Sequence, residues 1–235
     1  LHLIVIFSTK SLQNNKKFID LRPLIKLDSM KATMKTLSAI LICCFISTIQ
    51  MYGENIQRPE SENYVKGVEA LNEGNPEAAY TYLNAEINEH PDNGYAHCYM
   101  ALICNFCNDT KLALQALNSS LELIPEADTE YRSFAHYSRG VLLSNLKMWE
   151  RAEADLNEAI RLNPEDVENY KSRAQLYFET ERYEESLDDL TRALKLDSKA
   201  DVNDLMLQLM AVAPTSEFME RITATYQQLD QVTIH

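Results

Sequence analysis

The residues of this chain whose spacing most directly suggests chemistry are Cys104-Asn105-Phe106-Cys107, a C-x-x-C pair. A redox-active pair of this kind needs an ionised thiol, and such pairs sit at the amino end of a helix, where the local field lowers the thiol pKa. Here the cysteines fall late in a helical pattern. The competing expectation is therefore a small buried side chain at Cys104 and a helix-end thiol at Cys107. A redox-active helper using Cys104 and Cys107 stands as an alternative reading. His97 and His136, joined by Cys98 or Cys104, suggest a zinc site only loosely, because the close-spaced ligand pairs that such sites use are missing. Two half-buried imidazoles between neighbouring helices are expected instead. The chain shows no glycine-rich phosphate loop, no nucleophile elbow and no His-Glu-x-x-His. The adjacent carboxylates Asp188 and Asp189 fall where a solvated helix face is expected. The sequence thus predicts no enzyme, no cofactor and no metal.

The elements that must position these residues repeat. Residues 133–166 and 167–200 align without a gap, pairing Gly140 with Ala174, Ala152 with Ser186, Leu156 with Leu190 and Ala159 with Ala193. Small residues recur where two helices of a hairpin approach closely, and leucines recur at helical spacing on the face between them. Neither helix can bury that face alone, so successive hairpins must stack. The same register places Gly67, Ala79, Leu83 and Pro91 in residues 60–93, and Ala101, Ala113, Leu117 and Pro125 in residues 94–127. Five additional residues, Asp128 to Arg132, separate the second unit from the third, and the pattern predicts an added turn at the start of the next helix. After Ala200 the match fails. Residues 201–230 read as a capping pair of helices, broken at Pro214, with Phe218, Ile222, Tyr226 and Leu229 on one face of the second. Apolar residues crowd into 205–210, which raises self-association as a structural alternative.

A 34-residue period with small residues at its eighth and twentieth places and proline at its thirty-second resembles the tetratricopeptide repeat. The resemblance covers 60–200. It implies an all-α, right-handed α-solenoid of about four helix-turn-helix hairpins with a C-terminal helical cap, and a non-catalytic scaffold that binds a protein or peptide. It further implies that the second, fifth, ninth, twelfth and thirteenth places of each unit face a concave groove. The candidate binding residues that follow are Tyr64, Tyr95, Cys98, Leu102, Asn105, Phe134, Tyr137, Val141, Asn145, Lys171 and Gln175. For Tyr64 the alternative of packing within the array stays equally open. Chaperone-binding members of the family carry lysine and asparagine at the fifth and ninth places of the first unit, where this chain has Tyr64 and Val68. Only Lys171 and Gln175, in the last unit, faintly resemble that clamp. An extended segment inserting apolar side chains, its backbone bonded by Asn105 and Asn145, is the expected ligand.

Charge narrows the partner. The chain carries a formal −13, but residues 1–53 hold seven Lys/Arg and two Asp/Glu, so the 15 basic and 33 acidic side chains that follow leave a net of −18. Such a body repels phosphate backbones, which excludes nucleic acid and favours a basic or apolar protein partner. Residues 1–33 show no defensible period and are expected to be a non-native or disordered extension, with Met34 or Met30 as the true start. In 34–53, Lys35 precedes the apolar run Leu37 to Ile49, which has the outline of a secretory signal peptide. The run is shorter than the roughly 20 residues of a membrane span, and membrane contact is expected only through this segment if it stays uncleaved. Export to the periplasm or cell envelope of a bacterium follows as the expectation.

Overall fold

The computed structural model describes residues 56–213 and 215–232; the expectations for 1–33 and 34–53 lie outside the described residues, as do the side chains of Tyr226 and Leu229. The described residues form ten helices and no strand: α1 (Glu62–Asn72), α2 (Pro76–Glu89), α3 (Gly94–Phe106), α4 (Thr110–Leu123), α5 (Thr129–Asn145), α6 (Trp149–Leu162), α7 (Val167–Glu179), α8 (Tyr183–Leu196), α9 (Asn203–Val212) and α10 (Ser216–Val232). They pair in order as antiparallel hairpins, and the pairs stack into an α-solenoid closed by α9 and α10.

Short polar side chains start four of these helices, α2 to α5, in the same way. Asn75, Asn93, Asp109 and Asp128 each accept a hydrogen bond from the backbone N–H three residues on, satisfying a donor that has no partner inside the helix. The fifteenth place of every unit then takes the left-handed conformation that turns the chain from the first helix into the second. It is occupied by Gly74 at φ 70°, Asn108 and Lys147 at 58° and Glu181 at 61°. Only the first unit uses glycine, the residue that adopts this conformation without steric cost.

Between the paired helices the recurring small residue and leucine are fully shielded. Ala79 with Leu83, Ala113 with Leu117, Ala152 with Leu156 and Ser186 with Leu190 are all at most 1% exposed. At Gly140 a Cβ would stand 2.9 Å from Leu156 Cγ, so close approach requires the missing side chain. Ser186 is polar in the same seam, and its hydroxyl donates to the Ala174 carbonyl at 2.8 Å.

The five inserted residues lengthen one helix. Asp128 caps α5 and the remaining four form its first turn, giving 17 residues where α3 and α7 have 13. Arg132 in that turn donates to the carbonyls of Leu121 and Ile124 at the end of α4. At the far end, Met206 and Leu209 of α9 and Phe218 and Ile222 of α10 are buried against Leu190 and Leu194. Much of the apolar 205–210 stretch is therefore spent inside the cap: Leu205, Met206 and Leu209 are buried and Leu207 points outward.

Candidate functional site

The first helices of the four hairpins, α1, α3, α5 and α7, carry the eleven candidate residues. The structure divides them into two groups. Leu102, Phe134, Tyr137 and Val141 are half-buried along α3 and α5, with Asn105 and Asn145 exposed beyond them. The Phe134 and Tyr137 rings stack at 6.5 Å. Lys171 and Gln175 continue the row on α7, where each has a local partner: Lys171 donates to Glu168 at 2.9 Å and Gln175 to Glu179 at 2.8 Å. These two also line a cleft of about 200 Å³ whose other wall is Val202, Leu205 and Gln208 of the cap.

Tyr64, Tyr95 and Cys98 belong to the second group: the burial of Tyr95 and Cys98 corrects the expectation that they face the groove, and Tyr64 takes the alternative of packing within the array. They are 7%, 5% and 0% exposed. The reason lies in the inserted turn, which brings Tyr131 against α3. Tyr131 meets the Tyr95 ring edge-on at 4.8 Å, its hydroxyl lies 3.0 Å from that of Tyr99, and Tyr99 in turn packs on Tyr64 at 6.1 Å. The Tyr95 hydroxyl donates to Asp128 at 3.0 Å. Burial pushes the Cys98 thiol up to about 12, partly offset by a hydrogen bond with Ser120.

Two stretches match the model of the tetratricopeptide repeat, residues 133–166 and 168–199. The chain carries tetratricopeptide repeats. Among curated proteins it is 31% identical over 87 residues to the Lipoprotein NlpI homolog of Haemophilus influenzae, covering 37% of this chain and 28% of that one. It is 24% identical over 143 residues to human Tetratricopeptide repeat protein 6, covering 61% of this chain and 26% of that one. The chain thus spans about a quarter of the length of these relatives. Among solved structures, MamA (41-end) from Desulfovibrio magneticus RS-1 superposes with TM-score 0.59 at 19% identity, over 73% of this chain and 93% of that one. Another MamA crystal structure gives 0.55 at 12% identity, over 77% and 99%. These likenesses show the tetratricopeptide solenoid fold.

Within the repeats the C-x-x-C sits at the wrong end of a helix for thiolate chemistry. Cys107 closes α3 at its carboxyl end, where the helix dipole disfavours an anion. Burial, followed by the nearby Asp109, pushes the Cys104 thiol up to about 12, and burial raises Cys107 as well. His97 faces the Pro91 carbonyl at 3.0 Å and His136 faces Asp155 at 2.9 Å. Among the described residues no group of three His, Cys, Asp or Glu is placed to hold a metal.

One recurring feature escaped the sequence reading. Arg139 grips Asp155 through two bonds of 2.7 Å and reaches back to Asn118 of the previous hairpin. One repeat later, Arg173 grips Asp189 through two bonds of 2.8 Å and reaches back to Asn157. Asp189 is only 6% exposed, which corrects its assignment to a solvated face; Asp188 beside it is exposed. The available signal was an arginine at the seventh place and an aspartate at the twenty-third, both recurring after 34 residues.

A second feature lies at the amino ends of the same helices. Arg58, four residues ahead of α1, reaches across to Asp128 and Glu130 at the start of α5. No repeat pattern announces this contact.

Proposed function

We propose that the chain is a non-catalytic protein-interaction scaffold of the bacterial cell envelope that holds an extended protein segment along α3, α5 and α7. The carrying observation is the row of Leu102, Tyr137 and Val141, half-open apolar side chains on adjacent parallel helices, edged by the exposed amides of Asn105 and Asn145. A segment laid across such a row inserts apolar side chains between the helices while the amides bond its backbone. The cleft beside Lys171 and Gln175 extends the row toward the cap and suits the end of the segment. Envelope location draws support from the apolar run after Lys35 and from the similarity to a protein described as a lipoprotein. Among the described residues no helix is long and apolar enough to cross a membrane. The raised thiol pKa values of buried Cys104 and half-buried Cys107 weigh against the redox alternative.

The test is affinity capture from an envelope extract with the full chain and with a Val141→Lys, Asn145→Lys variant. Asn145 is exposed and Val141 is half-open on α5, where a lysine can extend into solvent, so helicity by circular dichroism should not change. A protein held by the parent and lost by the variant supports the groove. Identical capture by both moves the interaction to another face. Tyr95 is unsuitable for this purpose, because changing it removes the hydroxyl bonded to buried Asp128.

A further inference from the structure

Residues 56–60 have no helical structure, and among the described residues Arg58 is the one member of this stretch with a side-chain hydrogen bond. Its guanidinium donates through Nε to Asp128 Oδ2 at 3.1 Å, and through Nη2 to Asp128 Oδ1 at 3.2 Å and Glu130 Oε2 at 2.8 Å. The guanidinium carbon stands 4.5 Å from the centre of the Tyr131 ring. Asp128 is otherwise held by the Tyr95 hydroxyl and the Tyr131 backbone N–H, and is 1% exposed. Two carboxylates converging on one planar fork above an aromatic face are a receptor for arginine, and lysine's single ammonium does not reproduce that geometry.

Three observations bear on why this site exists. Asp128, Glu130 and Tyr131 all come from the five residues that a regular repeat lacks, so the repeat pattern itself does not account for them. A carboxylate as buried as Asp128 needs a cation beside it in any state the pocket adopts. The body that carries it is strongly acidic, which draws basic segments to it. We propose that this pocket is an arginine-recognition site for a basic protein segment, occupied in the free chain by its own Arg58. It deepens the scaffold reading and rests on it, by naming one side chain of the bound segment. An incoming arginine replaces Arg58 bond for bond, so the exchange itself gains little. Arg58 is tethered at an effective concentration of about millimolar. A partner therefore displaces it only when the same segment also lies along the groove, and the pocket admits arginine-bearing segments while the tether rejects loose arginine.

The experiment titrates a labelled hexapeptide, Ile-Gln-Arg-Pro-Glu-Ser, which copies residues 56–61, into the full chain and its Arg58→Ala variant, read by fluorescence anisotropy. Removing the tethered competitor should tighten binding by about tenfold or more, and a peptide with lysine for arginine should bind about tenfold more weakly. Adding Asp128→Asn to the variant should abolish binding while keeping the fold, because asparagine caps a helix as well as aspartate does. An Arg58→Lys chain, which keeps the charge, should fall between parent and Arg58→Ala. Equal binding to parent and Arg58→Ala, no binding to either, or indifference to Asp128→Asn overturns the proposal. The hexapeptide touches the pocket alone and the α5 variant touches the groove alone, so each reading fails separately.

Discussion

The third and fourth hairpins hold together differently from the first and second, although all four follow one repeat. At the seventh and twenty-third places the later pair has Arg139 with Asp155 and Arg173 with Asp189, each a doubly bonded ion pair shielded from water. The same places hold Lys66 and Tyr82 in the first hairpin, where the ammonium lies 5.7 Å from the ring centre, and Met100 and Ala116 in the second. What replaces the ion pairs there is a packed set of tyrosines, Tyr64, Tyr95, Tyr99 and Tyr131, completed by a turn that the repeat does not contain. The matches to the family models, residues 133–166 and 168–199, fall in the half held by ion pairs. A shared backbone therefore does not imply shared contacts, and residue roles transfer between repeats only as far as the contacts do.

Substitutions at matched points sharpen that contrast. The largest effect is expected from Asp128→Ala, which strands Arg58, removes the acceptor of Tyr95 and uncaps α5. A loss of about 3 kcal/mol or more is expected from a broken buried pair and a lost cap, measured by denaturant unfolding. A loss under about 1 kcal/mol, the scale of a surface ion pair, would show that the tyrosine half does not depend on its inserted turn. Arg173→Ala comes next, at about 3 kcal/mol, because Asp189 is left buried and unpaired. Pairing Arg173→Met with Asp189→Leu should recover most of that loss. Lys66→Ala, the same place in the first hairpin, should leave the melting temperature unchanged, since this exposed lysine supports no buried charge. If the two single changes prove equal, the halves are not held differently.

A smaller effect concerns the interhelix turns. Lys147→Gly should stabilise by about 0.5–1 kcal/mol by relieving a left-handed backbone that lysine adopts at a cost, and Gly74→Ala should destabilise by a similar amount. Thermal unfolding of the two variants checks the opposite signs.

The smallest effect is in pH dependence, within the ion-paired half itself. Burial pulls the Asp155 carboxyl upward, but its bonds with Arg139 and His136 outweigh this and hold it below the usual 3.8. At Asp189 burial prevails over Arg173 and the carboxyl lies above that value. Ionised Asp155 thus contributes stability above pH 3.8 that is lost as pH falls through its lowered pKa. Asp189 contributes stability below pH 3.8 that is lost as pH rises through its raised pKa. Acid unfolding should therefore be shallower in Asp155→Asn and steeper in Asp189→Asn than in the parent. The reverse order would exchange the two environments.

The hairpins were legible because their signal is local and repeated. A small residue facing a leucine recurs in all four units, and the five extra residues announced themselves through the distance from Pro125 to Pro164. Asp189 was also within reach, since Arg173 and Asp189 stand as far apart as Arg139 and Asp155. The groove was legible only where stacking is regular. Leu102, Asn105, Val141 and Asn145 are at or near the surface, whereas Tyr64, Tyr95 and Cys98 are buried because Tyr131, which has no counterpart in the repeat, closes on them. Arg58 was beyond reach. Its partners lie 70 and 72 residues away, and no periodicity links a residue outside the array to one inside an insertion.

That long reach bears on how the array comes apart. Stacked repeats touch mainly their neighbours, so such chains tend to fray inward from an end, one unit at a time. The bond from Arg58 to Asp128 closes a 70-residue loop around the first two hairpins and fastens it to the third. The leading end thereby gains what a linear array lacks, a clasp across its open edge, and α1 to α5 should melt as one cooperative block while α9 and α10, outside the loop, remain free to open first.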